Sequence, residues 1–292
     1  MTHTSTADRL RIIGAAALFS TGGAAIKATT LTAWQVASFR SGLAALAVFL
    51  LVPAARRRWT WRIAAVSIVY AATMVLFVVS NKATTAANAI FLQSAAPLYI
   101  LLLAPWLLKE RPHRSDYVTM AALAVGLLLV ILGLPPARAT APNPAVGNVL
   151  ALLSGVTWAF TLMGLRWLGS TEEDGSATMS TVVGGNALAC LICLPAALPV
   201  QQATIGDAAV VGYLGFIQIG LAYVLMTRGI RGVPAVEASM LLLLEPALNP
   251  VWAWLVHGEE PGTLPLLGGA VILAAMLVRA RQGAVVRRVA AD

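Results

Sequence analysis

The chain has 292 residues, 59% of them hydrophobic and only 11% charged, with a mean hydropathy of +0.82. A soluble domain carries about a quarter charged residues, so composition excludes that class and points to a protein dissolved in lipid. The formal net charge of +8 does not indicate nucleic acid, because the basic residues sit in short breaks between apolar runs rather than in one stripe; lipid headgroups and membrane topology account for them.

A helix needs about 20 apolar residues to cross the hydrocarbon. Runs of that length predict ten spans, at 10–27, 32–53, 62–81, 84–107, 116–134, 147–168, 177–199, 208–227, 234–256 and 263–280. The first has Arg9 and Arg11 ahead of its apolar core, as a signal peptide does, but further spans follow and it reads as a retained helix. Span two holds Arg40, the one basic residue well inside an apolar run. Span three carries a stripe of Tyr70, Thr73, Phe77 and Asn81. Span four contains Asn88 and a central Pro97. The stretch PPARATAPNPAVG after span five is a proline-rich connector, so residues 135–146 form the seam between a first half, 1–134, and a second half, 147–292.

Span six places Ser154, Trp158 and Thr161 on one face with Thr157 beside it. One indole among hydroxyls suits an amphipathic organic solute, and small hydroxyl residues equally suit close helix packing. Cys190 and Cys193 in span seven form a C-x-x-C without further ligands and read as apolar filler. In span eight, Gln218 and Tyr223 fall on different faces of an α-helix, so only one points inward unless the helix is distorted. Span nine contains Glu237, Glu245, Pro246, Asn249 and Trp252. Glu245, Asn249 and Trp252 are spaced i, i+4, i+7 and share one face.

Of the 20 Lys and Arg residues, all but Lys27, Arg40, Lys82 and Arg138 fall on the side that holds the N-terminus. The positive-inside rule then puts both termini in the cytoplasm. The chain also repeats itself. A shift of 149 residues lays Asn88 on Glu237, Pro97 on Pro246, Glu110 on Glu259 and Pro112 on Pro261, and a shift of 146 lays Arg40 on Asn186 and Pro53 on Pro199. Five spans is an odd number, so the second copy is inverted relative to the first. The expected fold is therefore an all-α integral membrane protein of two inverted five-helix repeats, the arrangement that supports alternating access.

These ten spans in two copies, with a proline in the fourth span of each and the closing motifs KERP and GEEP, resemble the EamA-type transporters of the drug/metabolite transporter superfamily. The resemblance implies export or exchange of small metabolites, with single-chain amino-acid exporters of the YddG type, aromatic ones included, as similar members. It also implies a multi-pass protein of a bacterial inner membrane that needs no cofactor and for which a monomer suffices. The sequence departs from the pattern in span one, where LFSTGGAAIK stands against LLSGVTWAFT of the second copy and the tryptophan is missing.

Charge inside a membrane helix costs about 2.5–3.5 kcal/mol on insertion scales, so embedded polar groups mark function or pairing. Glu245 either bonds freed backbone or a neighbouring helix, or carries a coupling proton or touches substrate. Arg40 either pairs with Glu245 or a helix end, or binds a substrate carboxylate. Pro97 and Pro246, expected mid-helix, would kink their spans as hinges and free backbone carbonyls near the central site. The expected cavity lies among spans one, three, four, six, eight and nine, with Arg40, Phe77, Asn88, Ser154, Trp158, Thr161, Tyr223, Glu237, Glu245 and Asn249 as candidate lining or binding residues. An embedded enzyme would need a nucleophile with its base, or a metal set, at membrane depth. The histidines His3, His113 and His257 fall at or beyond span ends, which speaks against one. A channel would want a filter or a ring of charge. Enzyme, channel and a carrier for a drug or nucleoside remain the alternatives to an amino-acid transporter.

Overall fold

A computed structural model describes residues 6–56, 59–107, 114–133, 136–169, 175–230, 233 and 241–289. Glu237 lies outside the described residues, as do His3, Arg57, Arg58, Lys109, Glu110, Arg111, Pro112, His113, Pro135, Arg231 and Pro234.

In lipid every backbone polar group has to be satisfied within the protein, and helices do this segment by segment. The described residues are helical and contain no strand beyond an isolated bridge between Arg138 and Ala141. In chain order the helices are α1 (Thr6–Ser20), α2 (Gly22–Lys27), α3 (Ala33–Leu51), α4 (Trp61–Ala83), α5 (Ala86–Gln93), α6 (Ala96–Leu107) and α7 (Arg114–Leu132). There follow α8 (Pro144–Gly169), α9 (Ser176–Ala197), α10 (Ile205–Gly212), a π-helical segment (Tyr213–Leu221), α11 (Ala222–Ile230), α12 (Leu244–His257) and α13 (Thr263–Val289). Six stretches are long and apolar enough to cross a membrane: Thr6–Lys27, Ala33–Leu51, Trp61–Ala83, Pro144–Leu165, Ser176–Ala197 and Ile205–Gly229. Shorter apolar helices cover Tyr117–Leu132 and Thr263–Val278.

Threonine starts many of these helices. Thr32, Thr60, Thr85 and Thr204 each accept a hydrogen bond from the backbone N–H three residues on, satisfying a donor that the first turn leaves free and contributing about 0.5–2 kcal/mol apiece. At the end of α3, Arg56 donates from Nε to the Phe49 carbonyl and from Nη2 to the Leu50 carbonyl, both at 2.6 Å, so the freed carbonyls of the last turn are covered.

The distribution of polarity is that of a protein in lipid. Leu50, Ile68, Val118, Leu128, Leu191, Ile192 and Leu255 are exposed, whereas Arg40, Asn88, Asn186, Gln218 and Asn249 are buried. Small residues let the helices approach. A Cβ on Gly23 would come within 2.7 Å of Asn249 Oδ1 and 3.1 Å of Ala86, so α2 meets α5 and α12 at a separation only glycine allows. Helix α4 packs on α8 and α9, α3 on α9 and the π segment, α1 on α11 and α12, α5 on α8, and α7 on α13.

Both proline positions differ from the sequence expectation. Pro97 and Pro246 are not in helix interiors. Span four stops at Ser94 and restarts as α6 at Ala96, and a turn at Leu243 precedes α12. Each proline therefore lies in the first turn of a new helix, where its missing N–H has no intrahelical partner to lose. The 149-residue shift that aligns the prolines also aligns Ser94 with Leu243.

One end of the bundle is tied by buried polar contacts. Lys27 Nζ lies 2.9 Å from Glu259 Oε1, with the two side chains 2% and 5% exposed, and also donates to the carbonyls of Thr84, at 2.7 Å, and Thr140. Glu259 Oε2 accepts from the Ala86 N–H, 2.9 Å away, at the start of α5. Lys82 donates to the Thr29 carbonyl at 2.7 Å, and Asp207 accepts from the Thr30 N–H at 2.7 Å and hydroxyl at 2.8 Å. At the opposite end Arg62 lies over the rings of Trp61 and Trp167, 5.8 and 5.1 Å from their centroids, the basic and aromatic pairing of a membrane interface.

Candidate functional site

Between these ends lies a cavity of about 390 Å³, within the range that holds small organic ligands. Phe19 of α1, Arg40 of α3, and Thr73, Met74 and Phe77 of α4 form one part of its wall. Gln93, Ser94 and Pro97 at the α5–α6 break, with Trp158 and Leu162 of α8, form a second. Gln218, Ile219, Tyr223 and Met226 from the π segment and α11, Leu242, Leu243, Glu245 and Pro246 at the start of α12, and Met276 of α13 complete it.

The two helix breaks thus face the same space. A chain reversal or restart inside a membrane is tolerated where it borders a cavity or packed protein, and both prolines border this one. Of the residues singled out in the sequence, Arg40, Phe77, Trp158, Tyr223, Glu245, Pro97 and Pro246 line the cavity. Four others are placed elsewhere. Asn88 is buried between α5 and α8, its Nδ2 donating to Asn148 Oδ1 at 3.2 Å. Ser154 accepts from Gln93 Nε2 at 2.7 Å and reaches the Thr73 carbonyl at 3.4 Å. Thr161 donates to the Thr157 carbonyl at 2.9 Å and lies 3.3 Å from the Thr73 hydroxyl, so the hydroxyls of α8 join helices while its indole faces the cavity. Asn249 is fully buried against Gly23, with neither amide atom hydrogen-bonded. Glu237 lies outside the described residues.

Gln218 and Tyr223 both line the cavity, which a regular helix would prevent. At 3.6 residues per turn, positions five apart point about 140° away from each other. The π segment carries i→i+5 bonding, which brings residues five apart onto nearly one face, and Gln218 lies within it. Nothing in the residue pattern signalled the wider turn. Phe19, Leu242, Leu243 and Met276 also lie in the wall without having stood out in the sequence, because apolar residues in an apolar run carry no mark of which side they face; Gln93, also in the wall, is polar, and the polarity that marked Asn88 could have found it.

Arg40 is 1% exposed. Its Nη2 donates to the Met74 carbonyl at 3.2 Å and lies 3.9 Å from the Met74 sulfur, while its Nε is buried without a partner. Of the partners the sequence allowed for Arg40, Glu245 is not used: the two form no ion pair, whereas Lys27 and Glu259 do. Tyr70, fully buried beside Arg40, accepts from Asn186 Nδ2 at 3.1 Å, and its ring centroid lies 6.2 Å from that of Tyr223. The 146-residue counterpart of Arg40, Asn186, therefore belongs to the same buried polar group. Cys190 and Cys193 are free thiols. Among the described residues no cluster of His, Cys, Asp or Glu is arranged to hold a metal.

A multi-pass helical membrane protein enclosing a solute-sized cavity, with opposite charges and aromatic rings in its wall, has the build of a membrane transporter. The chain belongs to the EamA-like transporter family, whose model matches residues 10–132 and 145–280. The uncharacterized protein PA1977 of Pseudomonas aeruginosa is 33% identical over 279 residues, covering 89% of this chain and 91% of that protein. The pseudopaline exporter CntI of the same species is 24% identical, covering 90% and 92%, and an uncharacterized transporter of Archaeoglobus fulgidus is 24% identical, covering 72% and 73%. A crystal structure matches the fold with a TM-score of 0.61 at 18% identity, covering 95% of this chain and 99% of that chain.

Proposed function

We propose that this transporter moves small organic metabolites, most suitably amino acids with apolar or aromatic side chains, by alternating access between two inverted five-helix halves. The observation that carries the reading is the cavity. It joins Arg40 and Glu245 with Phe19, Phe77, Trp158 and Tyr223, a wall that fits a solute with polar ends and an apolar body and has too few charges for a sugar phosphate or an inorganic ion. Residues 1–134 and 147–292 would be the halves and 135–146 the connector, giving ten crossings with both termini in the cytoplasm of a bacterial cell.

Helix packing supports the two-half reading. Exchanging α1–α2 with α8, α3 with α9, α4 with the α10–α11 run, α5–α6 with α12 and α7 with α13 sends the principal packed pairs onto one another: α4 on α8 becomes α11 on α1, and α5 on α8 becomes α12 on α1 and α2. The two separate stretches of family match agree with it. Export as the direction draws on the relative named a pseudopaline exporter.

The test is purified protein in liposomes, preloaded with unlabelled solute and offered a panel of labelled amino acids. Counterflow accumulation of at least one apolar amino acid is expected, and failure across the whole panel would refute the amino-acid reading. In the same vesicles Glu245 is the candidate proton carrier. An imposed pH gradient drives accumulation in the wild type, and Glu245→Gln abolishes the response to the gradient. A wild type indifferent to the gradient would make the protein a facilitator.

A further inference from the structure

We infer that Arg40 is a carboxylate anchor, and that the central cavity selects solutes bearing a carboxylate. The inference deepens the proposed function and rests on the cavity being the solute site.

Lys27, whose side chain is buried, and Arg56, which is exposed, are both supplied with acceptors. Lys27 has Glu259 at 2.9 Å and two backbone carbonyls. Arg56, near one end of the bundle, donates two hydrogen bonds of 2.6 Å to helix-terminal carbonyls. Arg40 is 1% exposed, and of its five N–H donors the hydrogen bonds reach only the carbonyl and sulfur of Met74, both from Nη2. Its Nε is buried and unpartnered. The ionisable groups that act on it are Tyr70, Tyr223 and Cys193, two phenols and a thiol that are ordinarily neutral at pH 7. Among the described residues no carboxylate comes within ion-pair distance.

A buried guanidinium without a counter-ion is costly, and a purely structural one has its donors filled. Arg40 is instead left open at the wall of a solute-sized cavity. A planar fork of donors matches a carboxylate bidentately, so a solute carboxylate supplies the missing charge. Glu245 stands in the same wall outside ion-pair reach of Arg40, and Tyr223 is close enough to interact with both. One solute with a carboxylate at Arg40 and an ammonium group at Glu245 would span the two, its apolar body lying against Phe77 and Trp158.

The test uses the full chain in detergent and reads ligand-induced thermal stabilisation, which needs no transport. The probes are L-phenylalanine with L-phenylalaninamide, and L-leucine with L-leucinamide. Each acid is expected to stabilise the wild type with at least tenfold higher apparent affinity than its amide. Arg40→Gln should erase that preference and Arg40→Lys should keep part of it. A merely structural Arg40 would lower the melting temperature without ligand and leave the preference unchanged. Amides binding as well as acids, neither acid binding, or an Arg40→Gln protein that binds the acids as the wild type does would each overturn the inference. Should Arg40→Gln not fold, the acid and amide comparison in the wild type decides. Arg40-dependent acid binding without liposome transport would sink the transport reading alone, and transport of amides equal to acids would sink the anchor alone.

Discussion

Single side chains at the cavity separate into those that hold helices and those that face open space, and substitution should tell them apart. Trp158→Ala removes an indole from the cavity wall, so solute affinity is expected to fall by tenfold or more in a binding assay. Gly23→Val places two methyl groups where even a Cβ meets Asn249 Oδ1 at 2.7 Å. Overpacking of that kind costs about 1–3 kcal/mol, read as a lower melting temperature in detergent. The sequence marked the residues that are odd for lipid, Arg40 and Glu245, because charge in an apolar run has few explanations. It marked Ser154 and Thr161 less well. A hydroxyl in a membrane helix is cheap to satisfy within the bundle, and both are satisfied by Thr73, Thr157 and Gln93.

Among the helices, the interrupted spans line the cavity, and their interruptions differ in legibility. Internal repetition pointed to the neighbourhood of Pro97 and Pro246 but not to a stop and restart, since proline is compatible with a kink or with a first turn. The two cases separate energetically. Removing an interior proline would relieve about 3 kcal/mol, whereas a first-turn proline exchanges for alanine with a change of about 1 kcal/mol or less. Pro97→Ala and Pro246→Ala are therefore expected to shift thermal stability little, and a large gain in either would place that proline inside a helix. The π segment left no trace in residue type, because its extra residue per turn is set by what packs around it. Deleting Ile217 would return the run toward regular spacing and turn Gln218 away from Tyr223. Solute binding should be lost while the detergent-solubilised protein remains folded by circular dichroism.

At the level of the whole molecule, composition and charge were enough to establish a multi-pass membrane protein, and the repeat and its motifs were enough to suggest the family. The tie between distant parts was not readable. Lys27 looked like a loop cation and Glu259 like the end of a motif, yet they meet 232 positions apart in sequence as a buried pair that also caps α5. Removing one partner of such a pair leaves a buried charge and costs about 3–5 kcal/mol, while replacing both with apolar residues is often near neutral. In a double-mutant cycle, Lys27→Met and Glu259→Leu should each lower the melting temperature strongly, and the combined variant should recover much of the loss.

That near-neutrality has a meaning for turnover. Separating Lys27 from Glu259 gives up their attraction but returns both ions to water, and the two quantities are of similar size. A seal made from them holds while dry and comes apart at little net expense once wetted, unlike a greasy plug, whose release would expose apolar surface with nothing in exchange. In the proposed alternating-access cycle, shut and open forms of this end would then lie close in free energy, so that binding or release of a single solute would tip one into the other.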